Sequence, residues 1–198
     1  MLRNVRFVPI VLLLAAASTA CGSSDDADTS VPGATTAEIA IADGGTAGAS
    51  GAEVLARFTS CDDVAPAVAQ YIAGLQENES NVVDEYGVSC NWETPDGATD
   101  LSQIRSVEVL VEPGTGEVPT VQDLETGKLV VLPDTDLERA GAVAYTLPVT
   151  TAVAGVTVTT VVTPDVKVTI TGGQWDDVPS LDGPAAVAAA KELIGAQG

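Results

Sequence analysis

Hydrophobic and polar positions follow three different patterns along this chain, and the first is a continuous apolar run near the N-terminus. The run covers residues 7–17, follows two arginines and precedes Ser18-Thr19-Ala20. A basic start, a short apolar run and small residues are the three parts of a secretory signal. The run is also shorter than the roughly 20 residues that a membrane-spanning helix needs. We therefore predict that residues 1–20 are a cleaved signal peptide.

The second pattern, over residues 21–52, has no period. This segment consists mainly of Gly, Ala, Ser, Thr and Asp, with few large apolar side chains. Such a composition buries too little surface to offset the entropy of ordering the chain. We therefore predict a disordered tether over residues 21–52 and a single folded domain over residues 53–198.

The third pattern is periodic, and it begins as a helical stripe after Cys61. Asp62 and Asp63 stand where the positive end of a helix dipole favours acidic residues. The stripe, which indicates one apolar helix face, comprises Val64, Val68, Tyr71, Ile72 and Leu75. A last helix opens at Asp182-Gly183-Pro184. Its predicted apolar face comprises Val187, Ala190, Leu193 and Ile194.

Between these two helices the chain alternates apolar and polar residues with the period of a strand. The predicted strands cover residues 87–92, 106–112, 128–132 and 140–149, followed by a hairpin of 156–163 with 166–171. A short helix is predicted over residues 119–127, with Thr120 as its cap and Gly127 as its stop. In the hairpin, a threonine-rich face from Thr157 to Thr163 predicts a polar surface or sheet edge.

The order of helix, several antiparallel strands and helix is typical of an α+β domain. We predict an antiparallel β-sheet with an N-terminal and a C-terminal helix packed on one face. Hydrophobic residues make up 45% of the chain but aromatic residues only 4%, so the core must be built from aliphatic side chains.

Cys21 directly follows the predicted cleavage position. Small residues followed by cysteine, and then by Gly22-Ser23-Ser24, resemble the lipobox of bacterial lipoproteins, although Ser18 stands where that family has an aliphatic residue. The resemblance implies a diacylglyceryl group on Cys21, and stable anchoring takes at least two acyl chains. Ordinary signal cleavage after Ala20 is the alternative. We predict lipidation at Cys21 and an extracytoplasmic location on the cell membrane.

The chain has three cysteines, and an exported protein favours an even number of ordinary thiols. If Cys21 carries lipid, Cys61 and Cys90 remain to pair, and pairing is the usual state outside the cytoplasm. A structural metal site lacks ligands because the chain has no histidine, and a redox pair favours Cys-x-x-Cys spacing. We therefore predict a Cys61–Cys90 disulfide.

The domain resembles small envelope lipoproteins of mycobacteria and their relatives, many of which are domains of unknown function. The resemblance lies in Cys61-Asp62-Asp63 before a helix and in Ser89-Cys90-Asn91-Trp92 on a strand, after a lipobox and a low-complexity tether. Asp62-Asp63 departs from the Asp-Pro that often precedes the first cysteine of such proteins. The resemblance implies an α+β envelope lipoprotein and supplies no reaction.

Charge excludes one class of partner. Residues 1–20 carry two of the eight basic residues and no acidic one, so six basic and 28 acidic residues remain, a formal charge of −22. Nucleic-acid binding needs clustered Lys and Arg to displace counterions, so we predict no nucleic-acid partner. The acidic surface keeps a tethered domain soluble or attracts a cationic partner.

Catalytic motifs are scarce. Without histidine the chain has no Ser-His-Asp or Cys-His arrangement, and no phosphate-binding glycine motif occurs. Asp134 with Asp136, or Asp176 with Asp177, are carboxylate pairs of the kind a glycosidase uses, but 28 acidic residues make such pairs frequent by chance. We predict a protein that is not an enzyme, with no cofactor and no metal.

Two functions remain open. The first is a binding or adaptor module that recognises an envelope protein through a strand edge or a sheet face. The second is a carrier of a small apolar or lipid ligand lodged between helices and sheet, where the small residues from Ala185 to Ala190 leave room. Those small residues equally permit close packing of the helix on the sheet. Trp92 is predicted in the core and Trp175 at a rim.

Replacing the lipid acceptor tests the anchoring. We expect the Cys21→Ala variant to move from the membrane fraction to the soluble fraction, because the acyl chains are the membrane contact. Cell fractionation measures this, with a Cys61→Ala/Cys90→Ala double variant as the control that stays with membranes. A Cys21→Ala variant that still sediments with membranes would contradict lipidation.

Overall fold

A computed structural model of the chain describes residues 50–100, 103–150, 155–175 and 178–196, except the side chains of Pro148 and Thr150. The predicted signal peptide, Cys21 and the predicted tether up to residue 49 lie outside these residues. The described helices are α1 (Gly51–Leu55), α2 (Ala65–Ile72), α3 (Val121–Thr126), α4 (Thr135–Arg139) and α5 (Gly183–Ile194). The described strands are β1 (Gln76–Glu77), β2 (Val82–Asp84), β3 (Gly87–Glu93), β4 (Ser106–Pro113), β5 (Val130–Val131), β6 (Val143–Thr150), β7 (Gly155–Val162) and β8 (Val166–Gln174).

The described strands form one sheet in the order β1-β3-β4-β8-β7-β6-β5, with β2 also paired to β3. Every one of these strand pairs is antiparallel. The predicted α+β class with an antiparallel sheet is therefore confirmed. The predicted hairpin is also confirmed, as β7 paired with β8 across a Pro164-Asp165 turn.

One row of side chains defines the face of the sheet that carries the core. Directly opposed residues of neighbouring strands share a face, so the row can be followed through the register from β3 to β5. It comprises Cys90, Val109, Ile170, Thr159, Thr146 and Val130. All but Val130 are buried. We call this the helix side of the sheet and the opposite face the outer side.

Helices cover the helix side. Helix α5 contacts β6, β7 and β8, while α2 contacts both α5 and β4. Asp182 caps α5 by accepting a hydrogen bond from the Ala185 N–H at 3.0 Å, and Gly195 ends it in the left-handed conformation. The prediction that Asp182-Gly183-Pro184 opens the last helix is confirmed.

Helix α2 is shorter than its apolar stripe. It ends at Ile72, because Ala73 leaves the helical region and Gly74 has a φ of 78°. Leu75 therefore lies beyond the helix, although it still packs against the core. Helix α1 begins at Gly51, two residues before the predicted domain boundary, and Ser50 caps it through a reciprocal pair of hydrogen bonds with Glu53.

The threonine-rich face of β7 was predicted to be a surface or an edge, and this prediction is wrong. Strand β7 lies between β6 and β8, and Thr159 is only 2% exposed. The hydroxyl of Thr159 donates to that of Thr146 at 3.4 Å, and Thr146 donates to the carbonyl of Val158 at 3.1 Å. Hydrogen bonding of these hydroxyls lets threonine replace valine in the core.

The predicted disulfide is confirmed. Cys61 opens a single turn of 3-10 helix before α2, and its sulfur is bonded to that of Cys90 on β3, with the two Cα atoms 5.7 Å apart. Both residues are buried in the core. The bridge thus fastens the segment that leads into α2 to the helix side of the sheet.

Removing the bridge should lower stability substantially. We expect the Cys61→Ala/Cys90→Ala variant to lose about 3–4 kcal/mol of unfolding free energy, the loop-entropy value for a closed loop of about 30 residues. Urea denaturation measures the loss. Wild-type protein with its disulfide reduced is the control and should show a similar decrease, whereas an unchanged midpoint would contradict the assigned role of the bridge.

Candidate functional site

An apolar cleft lies beside β5. Its volume is about 310 Å³. The loop before α3, the end of β5, helix α4 and the start of β6 form its walls. It is lined by Val118, Pro119, Thr120, Val121, Val131, Leu132, Pro133, Asp134, Leu137, Glu138, Ala142, Val143 and Ala144.

One wall of the cleft is set by the cap of α3. Thr120 accepts a hydrogen bond from the Asp123 N–H at 3.2 Å, and its hydroxyl donates to the Asp123 carboxylate at 2.6 Å. This reciprocal cap fixes the first turn of α3. Val121 is the first residue of that turn, and its side chain is 50% exposed. The prediction of a short helix between Thr120 and Gly127 is confirmed.

The floor of the cleft belongs to α4, a helix that the periodicity did not predict. Asp134 caps it, because its carboxylate accepts hydrogen bonds from the N–H groups of Asp136 and Leu137, each at 3.0 Å. The capped turn directs Leu137 into the core, where it is 1% exposed. Five residues carry too few apolar positions to show a helical period.

An ion-pair cluster joins α4 to α5 next to this floor. The ammonium of Lys191 lies 3.0 Å from a carboxylate oxygen of Asp134 and 2.7 Å from one of Asp136. Arg139 also pairs with Asp136. We call Lys191, Asp134, Asp136 and Arg139 the α4–α5 clamp.

The clamp shifts the pKa of each of three groups toward its charged form. The Leu137 N–H, and then Lys191, lower the pKa of Asp134 despite its partial burial. Lys191 is the main cause of the lowered pKa of Asp136, and Asp136 is the main cause of the raised pKa of Lys191. A glycosidase general acid needs a raised pKa, whereas the pKa values of Asp134 and Asp136 are both lowered. In this fold Asp134 caps α4, and Asp136 forms an ion pair with Lys191.

The two tryptophans singled out in the sequence lie within the described residues, whereas Cys21 and the second carboxylate pair do not. Trp92 lies in the core, at 4% exposure, as predicted. Trp175 is half-buried, and the guanidinium of Arg105 lies over its ring at 5.8 Å from the centroid. Cys21, Asp176 and Asp177 lie outside the described residues. The carboxylate pair of Asp176 and Asp177 therefore stays a prediction.

Glu138 is the second carboxylate in the lining of the cleft, together with Asp134. Its side chain is exposed, and among the described residues no hydrogen bond or ion pair involves it. In the part of the chain that the structure describes, no Lys or Arg belongs to the lining of the cleft. Sequence reasoning missed Glu138, because only the fold brings this residue into the same cleft as Val121 and Val143.

At one edge of the sheet, two short strands and an asparagine side chain cover β3. Strand β3 pairs with β1 at one end and with β2 at the other, and Asn81 fills the interval between them. The amide of Asn81 accepts from the Asn91 N–H at 2.8 Å and donates to the Asn91 carbonyl at 3.3 Å. The edge is thus blocked at Asn91 against an added strand.

Proline blunts the other edge. The Leu132 N–H donates to the Ala144 carbonyl, so the even-numbered residues of β6 direct their backbone groups toward β5. Strand β6 continues to Thr150, whereas β5 opposes it only at Tyr145 and Thr146. Pro148 stands at an outward-directed position of this free end and has no N–H to donate.

The outer side of the sheet changes from polar to apolar across its width. Near β3 it presents residues such as Asn91 and Glu108. On β6 and β7 it presents an apolar group that we call the outer patch: Val143, Tyr145, Leu147, Val149, Val156 and Val158. Leu147 and Val149 are 44% and 37% exposed. Val143 also lines the cleft, so the two apolar surfaces are continuous.

The site predicted for a small apolar ligand, between α5 and the sheet, is packed with side chains. Ala186, Ala189 and Ala190 are all buried against the core. A Cβ atom added at Gly183 would lie 2.9 Å from Leu132, and one added at Gly172 would lie 2.6 Å from Leu181. The small residues therefore serve the close approach of helix and sheet, and the cleft lies elsewhere.

No protein-family model matches this sequence, and neither a curated protein nor a solved structure proves similar to it. Within the described ranges, no helix has both the length and the apolar character that crossing a membrane requires. The same residues contain no group of three or more Cys, Asp or Glu side chains arranged to hold a metal ion.

The clamp makes stability depend on pH in a predictable way. Because the pKa values of Asp134 and Asp136 are lowered from 3.8, their contribution is present above that value and is lost as pH falls through the lowered values. Because the pKa of Lys191 is raised from 10.5, its contribution is present below 10.5 and is lost as pH rises through the raised value.

We therefore expect Lys191→Met to lower the urea midpoint most between about pH 5 and pH 9 and progressively less outside that range. The midpoints of variant and wild type, measured across pH, test this. Lys167→Met is the control, since it removes an ion pair to Glu112 at the surface. An equal effect of Lys191→Met at pH 3 and pH 7 would contradict the clamp.

Proposed function

We propose that this chain is a membrane-anchored extracytoplasmic lipoprotein that acts as a non-enzymatic binding module in the cell envelope. Lipid on Cys21 holds it to the membrane, and residues 21–49 tether the folded domain. The apolar cleft beside β5 is its binding site for an envelope protein.

Three observations support the location. The N-terminal pattern is that of an export signal, the Cys61–Cys90 disulfide suits an oxidising compartment, and the chain without residues 1–20 carries a formal charge of −22. That charge disfavours close contact with anionic lipid headgroups. A tether of about 30 residues, with a reach of roughly 30 Å, separates the domain from them.

The observation that carries the functional proposal is the cleft itself. Apolar residues form most of its lining, and the few convergent polar groups include Glu138 and Thr120. Binding sites typically combine an apolar wall with a small number of polar groups that orient the ligand. Exposed Val121 and the adjoining outer patch extend the apolar surface beyond the cleft.

The short, interrupted edges favour recognition through side chains. Asn81 occupies the backbone N–H and C=O of Asn91 on β3, and Pro148 removes a donor from the free end of β6. Addition of a partner strand needs a row of free N–H and C=O groups. Helices α2 and α5 form one layer on the helix side of the sheet in this proposal. The cleft and the outer patch are then the surfaces available to a partner protein.

Two further features bear on the alternatives. The lowered pKa values of Asp134 and Asp136 support a non-enzymatic role for that pair. The volume of about 310 Å³ lies at the lower end of the range for small-molecule sites, which favours carriage of a small apolar or lipid ligand as the second candidate. The half-exposed wall at Val121 argues against it, because a carrier encloses its cargo.

Site-specific photocrosslinking tests the binding site. We expect a photoreactive residue at position 121 of the full chain, irradiated in its own cells, to give a discrete protein adduct. Position 82 is the matched control: Val82 is 48% exposed, against 50% for Val121, but lies at the opposite end of the sheet. The adduct should disappear when Val143→Ser alters the other wall of the cleft.

Equal adducts from positions 121 and 82, or none from either, would contradict a protein-binding cleft. Native mass spectrometry of the same chain distinguishes the second candidate. A small molecule that remains bound in the absence of any adduct at position 121 would support the carrier.

A further inference from the structure

We propose that the cleft recognises an aliphatic side chain of a partner protein that is accompanied by a neighbouring basic residue. The inference rests on the proposed binding function and specifies the chemistry of the partner. An apolar lining, an unengaged carboxylate at that lining and the absence of a basic side chain from it together point to such a segment.

The apolar part of the ligand follows from the walls. Val121 of α3, Leu132 of the loop after β5 and Val143 of β6 line one volume of about 310 Å³. Such a volume accommodates one or two aliphatic groups. Each methylene that leaves water contributes about 0.8 kcal/mol to binding, so a leucine or isoleucine side chain gains more than any small polar group.

The charge of the ligand follows from what each ionic group already contacts. Asp134 is saturated by two backbone N–H groups and Lys191. Arg139 pairs with Asp136. Among the described residues Glu138 has no such partner, and Glu117, also exposed, immediately precedes the lining residue Val118. The cleft therefore presents carboxylate without a compensating cation of its own.

The size of the ligand follows from the volume of the cleft. Pockets for small molecules span roughly 300–1,000 Å³, and this cleft, at about 310 Å³, lies at the lower end of that range. Such a volume suits one projecting group better than an entire amphiphile. A side chain on a protein surface presents such a group, with the basic residue beside it reaching Glu138.

The overall charge assists the same partner from a distance. A formal charge of −22 on the chain without residues 1–20 attracts basic proteins and raises their association rate. This long-range attraction acts on any cation, whereas Glu138 acts only on a cation beside the cleft. The two effects can be separated because other exposed carboxylates lie far from the cleft.

The test uses the full chain secreted with Cys21→Ser and three fluorescent probe peptides at low ionic strength. The basic probe has the sequence Ala-Lys-Ala-Leu-Ala-Lys-Ala. The acidic probe replaces both lysines by glutamate, and the polar probe replaces leucine by serine. Anisotropy titration should show the basic probe binding about tenfold or more tightly than either of the others.

Matched variants locate the two contributions. Glu138→Gln and Glu85→Gln remove the same charge, but Glu85 is exposed in the turn between β2 and β3, at the other end of the sheet. We expect Glu138→Gln to weaken binding of the basic probe about two- to fivefold, the range of an exposed ion pair. Glu85→Gln should leave the affinity for the basic probe equal to that of the wild-type protein.

Val121→Ser and Val82→Ser are the corresponding apolar pair. We expect Val121→Ser to weaken the basic probe about three- to tenfold, through the loss of one or two methyl contacts, and Val82→Ser to have no effect. Both side chains are half exposed, so neither substitution should prevent folding, and circular dichroism verifies this.

Four outcomes would overturn the proposal. Equal effects of Glu138→Gln and Glu85→Gln would show that long-range attraction alone accounts for the charge dependence of binding. Equal binding of the acidic and basic probes would show that the ligand needs no basic residue. If no probe binds although the photocrosslink at position 121 forms, the partner has other chemistry and the binding function stands. If neither probe nor crosslink is observed, the proposed function fails as well.

Discussion

The close approach of α5 to the sheet is the constraint on which the rest of the structure depends. Buried alanines of α5 make this contact. Where a larger side chain packs nearby, the chain has a glycine: Gly172 lies against Leu181, and Gly183 lies against Leu132. In a chain with only 4% aromatic residues, close packing of small side chains is the available route to a dense core.

Several features depend on the close packing of α5 against the sheet. Thr159 and Thr146 lie on the helix side of the sheet and are buried, so their hydroxyls bond to each other and to backbone. Lys191, on α5, comes within hydrogen-bond distance of both Asp134 and Asp136. The resulting clamp fixes α4, and Leu137 on α4 forms part of the cleft. A feature of the core thus determines the shape of the surface site.

The surface around that site is arranged to discourage indiscriminate pairing. One sheet edge is completed by the Asn81 side chain, and the other carries Pro148 where a donor would face a partner. The general surface is strongly acidic. Against this background the cleft and the outer patch, joined at Val143, form an apolar region that the described residues leave uncovered. The proposed selectivity arises from Glu138 at that region.

Sequence reasoning succeeded where the signal is local. Caps such as Thr120 and Asp182, the Pro164-Asp165 turn and the valine strands are encoded within a few residues, and the odd cysteine count led to the Cys61–Cys90 pair. It failed on the buried face of β7, because threonine and valine have nearly the same shape and the phase of the strand depends on its neighbours.

The cleft could not be predicted for a related reason. Its lining extends from Val118 to Ala144 and is assembled by a two-residue strand and a five-residue helix, elements too short to show a period. Asp134 and Asp136 were recognised as a carboxylate pair, but their partner Lys191 lies more than 50 residues away in sequence. Only the packing of α5 reveals that they form a clamp.

Hydroxyl-radical footprinting of the protein in its native membranes tests the central claim, that the cleft is occupied by a partner, most directly. Oxidation rates of Val121 and Tyr86 are compared between membranes and the purified chain. Tyr86 is 76% exposed at the opposite end of the sheet. The account predicts that Val121 is protected in membranes while Tyr86 reacts equally in both samples. Equal reactivity of Val121 in membranes and in purified protein would contradict it.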